Sequence, residues 1–156
     1  MANERYAEKA VVLLGAYVES RLPTEIAAIE SEQSLGAGAI EDPVAYVLAD
    51  VPNDNRSPLV EIYDNGGGFD DQLNSIFVAD CVVAISFASD CDISAGKKRL
   101  QRYQTALTNT IRDNPTLSGG VTQCIFGDIS AGTVRGDEST TRFALEQQIE
   151  VWIHDQ

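Results

Sequence analysis

One imidazole, three thiols and 24 carboxylates are what this chain of 156 residues offers to acid–base, nucleophilic and metal chemistry. Nucleophilic catalysis of the Ser-His-Asp or Cys-His kind needs an imidazole placed to take a proton. The one histidine, His154, falls on the polar side of an alternating stretch near the end of the sequence, which does not place it in a cleft. Cys81, Cys91 and Cys124 lie ten and thirty-three residues apart with no Cys-x-x-Cys pair, a spacing that excludes structural zinc. Three sparse cysteines also argue against a disulfide framework and for a reducing compartment. Hard cations need oxygen ligands, and Asp64, Asp70 and Asp71 flank a glycine run while Asp90 and Asp92 sit in a strand-to-helix turn. Neither group fits the Asp-x-Asp-x-Asp-Gly calcium loop with its closing Glu, and Asp is common in turns and at helix starts for local hydrogen-bonding reasons. Asn65-Gly66-Gly67-Gly68-Phe69 lacks the Lys-Ser/Thr of a phosphate-binding loop and reads as a flexible loop that ends a strand. The expectation is a protein that is not an enzyme and has no cofactor and no metal.

Charge narrows the partners. Eleven Lys+Arg against 24 Asp+Glu give a formal net charge of −13, and contact with DNA or RNA phosphates needs the opposite balance. An acidic chain either gains solubility from its charge or lines a passage through which DNA slides without adhering. Lys97, Lys98, Arg99, Arg102 and Arg112 put five of the 11 bases into 16 residues. They form either a solvated face, with Arg112 favourable at a helix C-terminus, or a surface that docks on acidic groups of a neighbouring copy. On the second reading Lys98, Arg99 and Arg102 are contact residues. No apolar run, Ala10 to Leu14 included, comes near the ~20 residues of a membrane helix, so neither a membrane partner nor a leader segment is expected.

The elements that must position these groups follow from periodicity. Tyr6, Ala10, Leu13, Leu14, Tyr17 and Val18 recur at helical spacing from Asn3 to about Leu22, where Pro23 should end or kink the helix and Thr24 should cap a second short turn. Val44 to Leu48 reads as a short strand, Pro52 to Ser57 as a polar turn, and Leu59 to Tyr63 as another strand. Between Phe77 and Phe87 every odd position is apolar, the mark of a strand with one buried face. Leu100, Tyr103, Leu107 and Ile111 mark the inner side of a helix over Lys97 to Asp113, with Ser94 three residues ahead of it. Val121 to Ile129 is a strand, and the polar stretch Ser130 to Thr141 reads as a long hairpin loop or flap. Phe143, Leu145, Ile149, Val151 and Ile153 then line one face of a last strand, interrupted at Gln147, with Glu146, Gln148, Glu150, Trp152 and His154 on the other. The alternation predicts an α+β fold in one domain over residues 1–156: a mainly antiparallel sheet of four to five strands with two principal helices packed on one face, and irregular loops near 31–57 and 130–141.

One stretch carries a resemblance. Arg102-Tyr103-Gln104-Thr105-Ala106-Leu107, followed by Ile111 to Pro115 and then Thr116-Leu117-Ser118-Gly119-Gly120-Val121, resembles tail terminator and neck (tail-completion) proteins of long-tailed bacteriophages. In that family a helix with Tyr-x-x-Ala-Leu runs into a Thr-Leu-x-Gly-Gly-Val turn and then a strand. The order of elements from about Tyr6 onward is similar to that family as well. The resemblance implies a structural protein of the virion, at the tail and neck, assembled in the host cytoplasm. It implies a homohexameric ring on the head-proximal end of the tail tube that stops tube polymerisation. The partners it implies are other copies of the chain, the tail tube protein and the head-tail connector or stopper protein, with DNA only passing through the lumen. Leu117, Gly119 and Gly120 form a turn with an apolar tip, and Trp152 is an aromatic on a polar strand face; together with the three basic residues they are the candidate interface, while Leu117 is equally readable as core. Segments 31–57 and 130–141 depart from the family's pattern. Competing readings are another head–tail joining component, a small acidic Mg²⁺-dependent hydrolase built on Asp64, Asp70 and Asp71, and an inhibitor whose acidic surface mimics nucleic acid.

Overall fold

The computed structural model of the chain describes residues 2–49, 56–70, 72, 75–135 and 141–154. A long helix α1 (Ala2–Glu32) is followed by a short strand β1 (Ala45–Val47), two long strands β2 (Leu59–Phe69) and β3 (Ile76–Ser89), helix α2 (Ile93–Arg112), and strands β4 (Gln123–Arg135) and β5 (Thr141–His154). The strands form one sheet in the order β1-β2-β3-β5-β4. Only β1 with β2 is parallel; β2 with β3, β3 with β5 and β5 with β4 are antiparallel. This is the expected α+β architecture, with five strands.

Alternation decides which face is inside. Phe77, Ala79, Cys81, Val83, Ile85 and Phe87 of β3 are all buried, and their partners in register on β5 are Ile153, Val151, Ile149, Gln147, Leu145 and Phe143, also buried. Val60 and Ile62 extend the same face onto β2. Ala10, Leu14, Val18, Leu22, Ile26 and Ile29 of α1, and Leu100, Tyr103, Leu107 and Ile111 of α2, close the core from above. Two aromatic clusters mark its ends: Tyr6, Phe69 and Phe77 at one, and Phe87, Phe143 and Tyr103 at the other, with the Arg99 guanidinium 4.8 Å from the Phe87 ring centre.

Four expectations about boundaries are corrected. Helix α1 continues through Pro23 instead of ending there. An interior proline costs about 3 kcal/mol, but Leu22, Ile26 and Ile29 are each no more than 2% exposed, and burying three aliphatic side chains more than offsets that at roughly 1.5–3 kcal/mol each. Strand β2 does not stop at the glycine run but passes through it on an irregularity between Asp64 and Gly67. Asp64 Oδ1 accepts from the Gly66 N–H, Gly66 takes a φ of 99°, and a Cβ on Gly67 would overlap the Val78 carbonyl, so the glycines admit a β-bulge and a close strand approach. Strand β4 runs on to Arg135, so most of the stretch read as a loop or flap is paired with β5. Helix α2 starts at Ile93, capped by Asp92, whose Oδ1 accepts from the Ala95 N–H at 2.7 Å. The turn expected at Pro52 to Ser57 lies mostly outside the described residues, as do Asp71 and residues 136–140.

Gly96 of α2 faces the sheet, where a Cβ would overlap the Phe143 ring. Ala is ordinarily the better helix former by about 1 kcal/mol, yet Gly96→Ala is expected to destabilise the protein by about 1–3 kcal/mol through overpacking. A urea unfolding midpoint equal to or above the parent's would show that the ring gives way instead.

Candidate functional site

The seven candidate interface residues do not converge on one surface. Lys98 is exposed on the outer side of α2. Arg99 and Arg102 turn instead onto the segment that follows α1: Arg99 lies 3.3 Å from Glu41 Oε1, and Arg102 Nε donates to Gln33 Oε1 at 2.8 Å. The Tyr103 hydroxyl donates to the Glu41 carbonyl, and Glu30 Oε2 accepts from the Ile40 N–H at 3.0 Å while Ile40 is buried. Part of the irregular segment 31–57 is therefore fastened to α2, and two of the five bases of the supposed basic face are what fasten it.

Leu117 belongs to the core. It is 6% exposed and clusters with the other buried apolar residues, although its backbone is left-handed, at a φ of 50°. For an L-residue that conformation costs roughly 1–2 kcal/mol, which burial of a leucine offsets. Ser118 and Gly119 follow at φ 60° and 84°, and Asn114 Oδ1 accepts from the Ser118 N–H, so the turn is held from within. Gly119 and Gly120 remain exposed and border a shallow recess of about 280 Å³ with Arg5, Lys9 and His154. Trp152 is half-buried on the face of the sheet away from the helices, with its Nε1 donating to Glu150 Oε2 at 3.3 Å and its carbonyl accepting from Thr122. The turn and the tryptophan are thus neighbours, and the α2 bases stand apart from both.

The open sheet face is the feature that no local motif announces. Glu61 of β2, Asp80 of β3, and Glu146 and Glu150 of β5 all fall on it, and Asp80 sits directly opposite Glu150 in the register. Arg142 shares the face but is engaged, donating to Ser86 Oγ at 2.8 Å and to the Arg56 carbonyl at 3.2 Å. Like charges opposed across strands destabilise a sheet, so this face is held acidic at a cost.

The remaining chemistry-bearing groups serve structure. Asp64 and Asp70 each accept from a backbone N–H two residues on, at 2.9 Å. Asp64 on β2 lies beside Cys81 of β3, and Asp70, just past the end of β2, beside Ile76, five residues or roughly 16 Å apart at 3.3 Å per residue. Among the described residues no three His, Cys, Asp or Glu side chains gather as metal ligands. Burial pushes the Cys124 thiol up to about 12, and burial together with the nearby Asp64 charge does the same to Cys81. Both stay protonated at neutral pH and are poor nucleophiles.

Two outcomes follow. A thiol whose folded pKa lies above its unfolded value of 9.0 contributes stability that is complete below pH 9 and is lost as pH rises towards 12. The urea midpoint is expected to fall between pH 9 and 11, and to fall less in a Cys81→Ala, Cys124→Ala variant. Asp80→Asn is expected to stabilise the sheet by roughly 0.3 kcal/mol at low salt. That gain should vanish in 1 M salt, where the screening length is about 3 Å; a gain that persists there would point to packing instead of charge. Compared with known proteins, the chain matches no family model and no curated protein.

Proposed function

We propose that the chain is a structural protein of a long-tailed phage virion, a tail terminator that forms a ring on the head-proximal end of the tail tube, ends its polymerisation and joins it to the head connector. The observation that carries this reading is the acidic open face of the sheet, made by Glu61, Asp80, Glu146 and Glu150. Duplex DNA carries one charge per about 1.7 Å of its axis. A channel wall facing it must avoid counterion-releasing contacts if the genome is to pass, and carboxylates presented without accessible lysine meet that need. The resemblance of the segment from Arg102 to Val121 supports the same assignment. The separation of Asp64 from Asp70 gives a carboxylate-based hydrolase no support.

Imaging by negative stain, with mass from light scattering, tests the proposal on the protein alone and with tail tubes of the same source. The expected result is a six-fold ring with a central hole, free or seated on one tube end, and tubes that stop growing once capped. Tubes that lengthen unchecked in the presence of the protein, with no density added at either end, overturn it.

A further inference from the structure

We infer that two copies of this chain meet head to tail, the β4 side of one against the α1–β1 side of the next. The inference rests on the ring reading for its biological role, but the two surfaces are read from the molecule itself. They lie at opposite ends of the sheet.

On the β4 side, the strand projects past the helices. Ile129, Ala131 and Thr133 pair with Gln147, Leu145 and Phe143, whose side chains point into the core, so all three face the helix side. Yet they are exposed, Ile129 at 39%. Between them and α2 runs a groove of about 320 Å³ lined by Lys97, Leu100, Gln101 and Gln104. Ile93, 44% exposed, is four residues before Lys97 and therefore on the same stripe of the helix. The outer edge of β4 has no strand beside it among the described residues. Edge strands are usually blunted by Lys or Pro; Gln123 to Arg135 contains neither. A strip with apolar side chains at Ile93, Ile129 and Ala131 results, flanked by Lys97.

On the α1–β1 side the pattern is the same with the sign reversed. Val12 and Leu48 are each 48% exposed. Leu48 lies over Gly15, where a Cβ would overlap it, and Gly15 is three residues from Val12, so the two apolar side chains border one patch. Glu8 and Glu19 stand on the same helical stripe as Val12 and Gly15, and the charges of Glu19 and Asp42 both bear on Tyr46 of β1. An apolar strip flanked by carboxylates is the complement of one flanked by Lys97. Because the two patches differ, the contact is heterologous, and repetition of it either closes a ring or extends a filament.

The test uses the full chain in about 150 mM salt, with mass followed against concentration for the parent, for Ile129→Asp, for Val12→Asp and for an equal mixture of the two. The parent is expected to gain mass with concentration, while each variant alone associates at least tenfold more weakly. The mixture should stop at dimers, since one intact surface of each kind remains. If Ile129→Asp fails to fold, Lys97→Glu reads the same surface. A parent that stays monomeric overturns the inference, as does Val12→Asp associating like the parent while Ile129→Asp does not, which marks a two-fold contact of β4 with β4. Rings that persist in both variants also overturn it and leave the ring reading standing; a monomer that still caps tail tubes does the same.

Discussion

Two helices are too narrow to cover five strands. Strands lie about 4.8 Å apart and a helix with its side chains is roughly 10 Å across, so a pair of helices shields about four strands and the fifth must project. Here α1 rests on β2 and β3 and α2 leans on β5. The start of β4 is still sheltered, with Cys124 buried, but Ile129 to Thr133 are exposed. The consequence is visible strand by strand: β3 and β5 carry an apolar row beneath the helices, broken only at Gln147, whereas Ile129 of β4 faces the same side yet stays 39% exposed. Among the described residues no helix or strand forms a second layer on the opposite face of the sheet, which is where Glu61, Asp80, Glu146 and Glu150 collect.

Where β4 leaves the shelter of the helices it carries a bulge, and one buried amide satisfies that bulge. Phe126 pairs with Ile149 and Ile129 with Gln147, so Gly127 and Asp128 together oppose Gln148. A bulge of this kind bends its strand and leaves carbonyls without ladder partners. Gln147 Nε2 supplies the missing donors, reaching the Gly127 carbonyl at 3.0 Å and the Gln148 carbonyl at 2.9 Å. A polar side chain buried in an apolar row is costly unless satisfied, and here it is satisfied by the defect it accompanies. The second bulge, in β2, sets Asn65 and Gly66 against Asp80. The two irregularities thus flank the straight β3–β5 pair on either side, and a recess on the open face connects them, bordered by Asn65, Asp80, Gly127, Gln148 and Glu150.

What could be read in the sequence, and what could not, divides along the range of the forces involved. The alternation in β3 and β5 and the helical spacing in α2 depend on burial of one face, so the fold class and the core rows follow from local pattern. The break at Gln147 was legible as a break, but its meaning depended on Gly127, twenty residues earlier, which no local window contains. Pro23 and the glycine run were read by their intrinsic preferences, and tertiary burial and strand pairing outweighed both. Leu117 carried two readings of equal weight because a turn residue's burial depends on what lies beneath it. Arg99 and Arg102 looked like part of a solvated stripe since their partners, Glu41 and Gln33, come from a segment without periodicity. The open acidic face was spread over three strands, Glu61, Asp80, Glu146 and Glu150, and became a single surface only when their register was known.

The position of the charges bears on how such an acidic chain can self-associate at all. Two copies at −13 each repel, but at physiological ionic strength the screening length is about 8 Å. That is shorter than a domain, so the net charge acts weakly while groups within a few ångströms of one another keep most of their interaction. In the proposed assembly the local balance at the contact would govern, and Lys97 at one end of the sheet, against Glu8, Glu19 and Asp42 at the other, makes that balance favourable. The acidic open face lies across the sheet from both helices, not at either lateral end. A head-to-tail contact through the ends therefore consumes little of its charge, and each added copy extends the acidic wall instead of neutralising it. In the proposed ring, the opposition of Asp80 and Glu150 within one chain would be the local cost of a wall that keeps its sign.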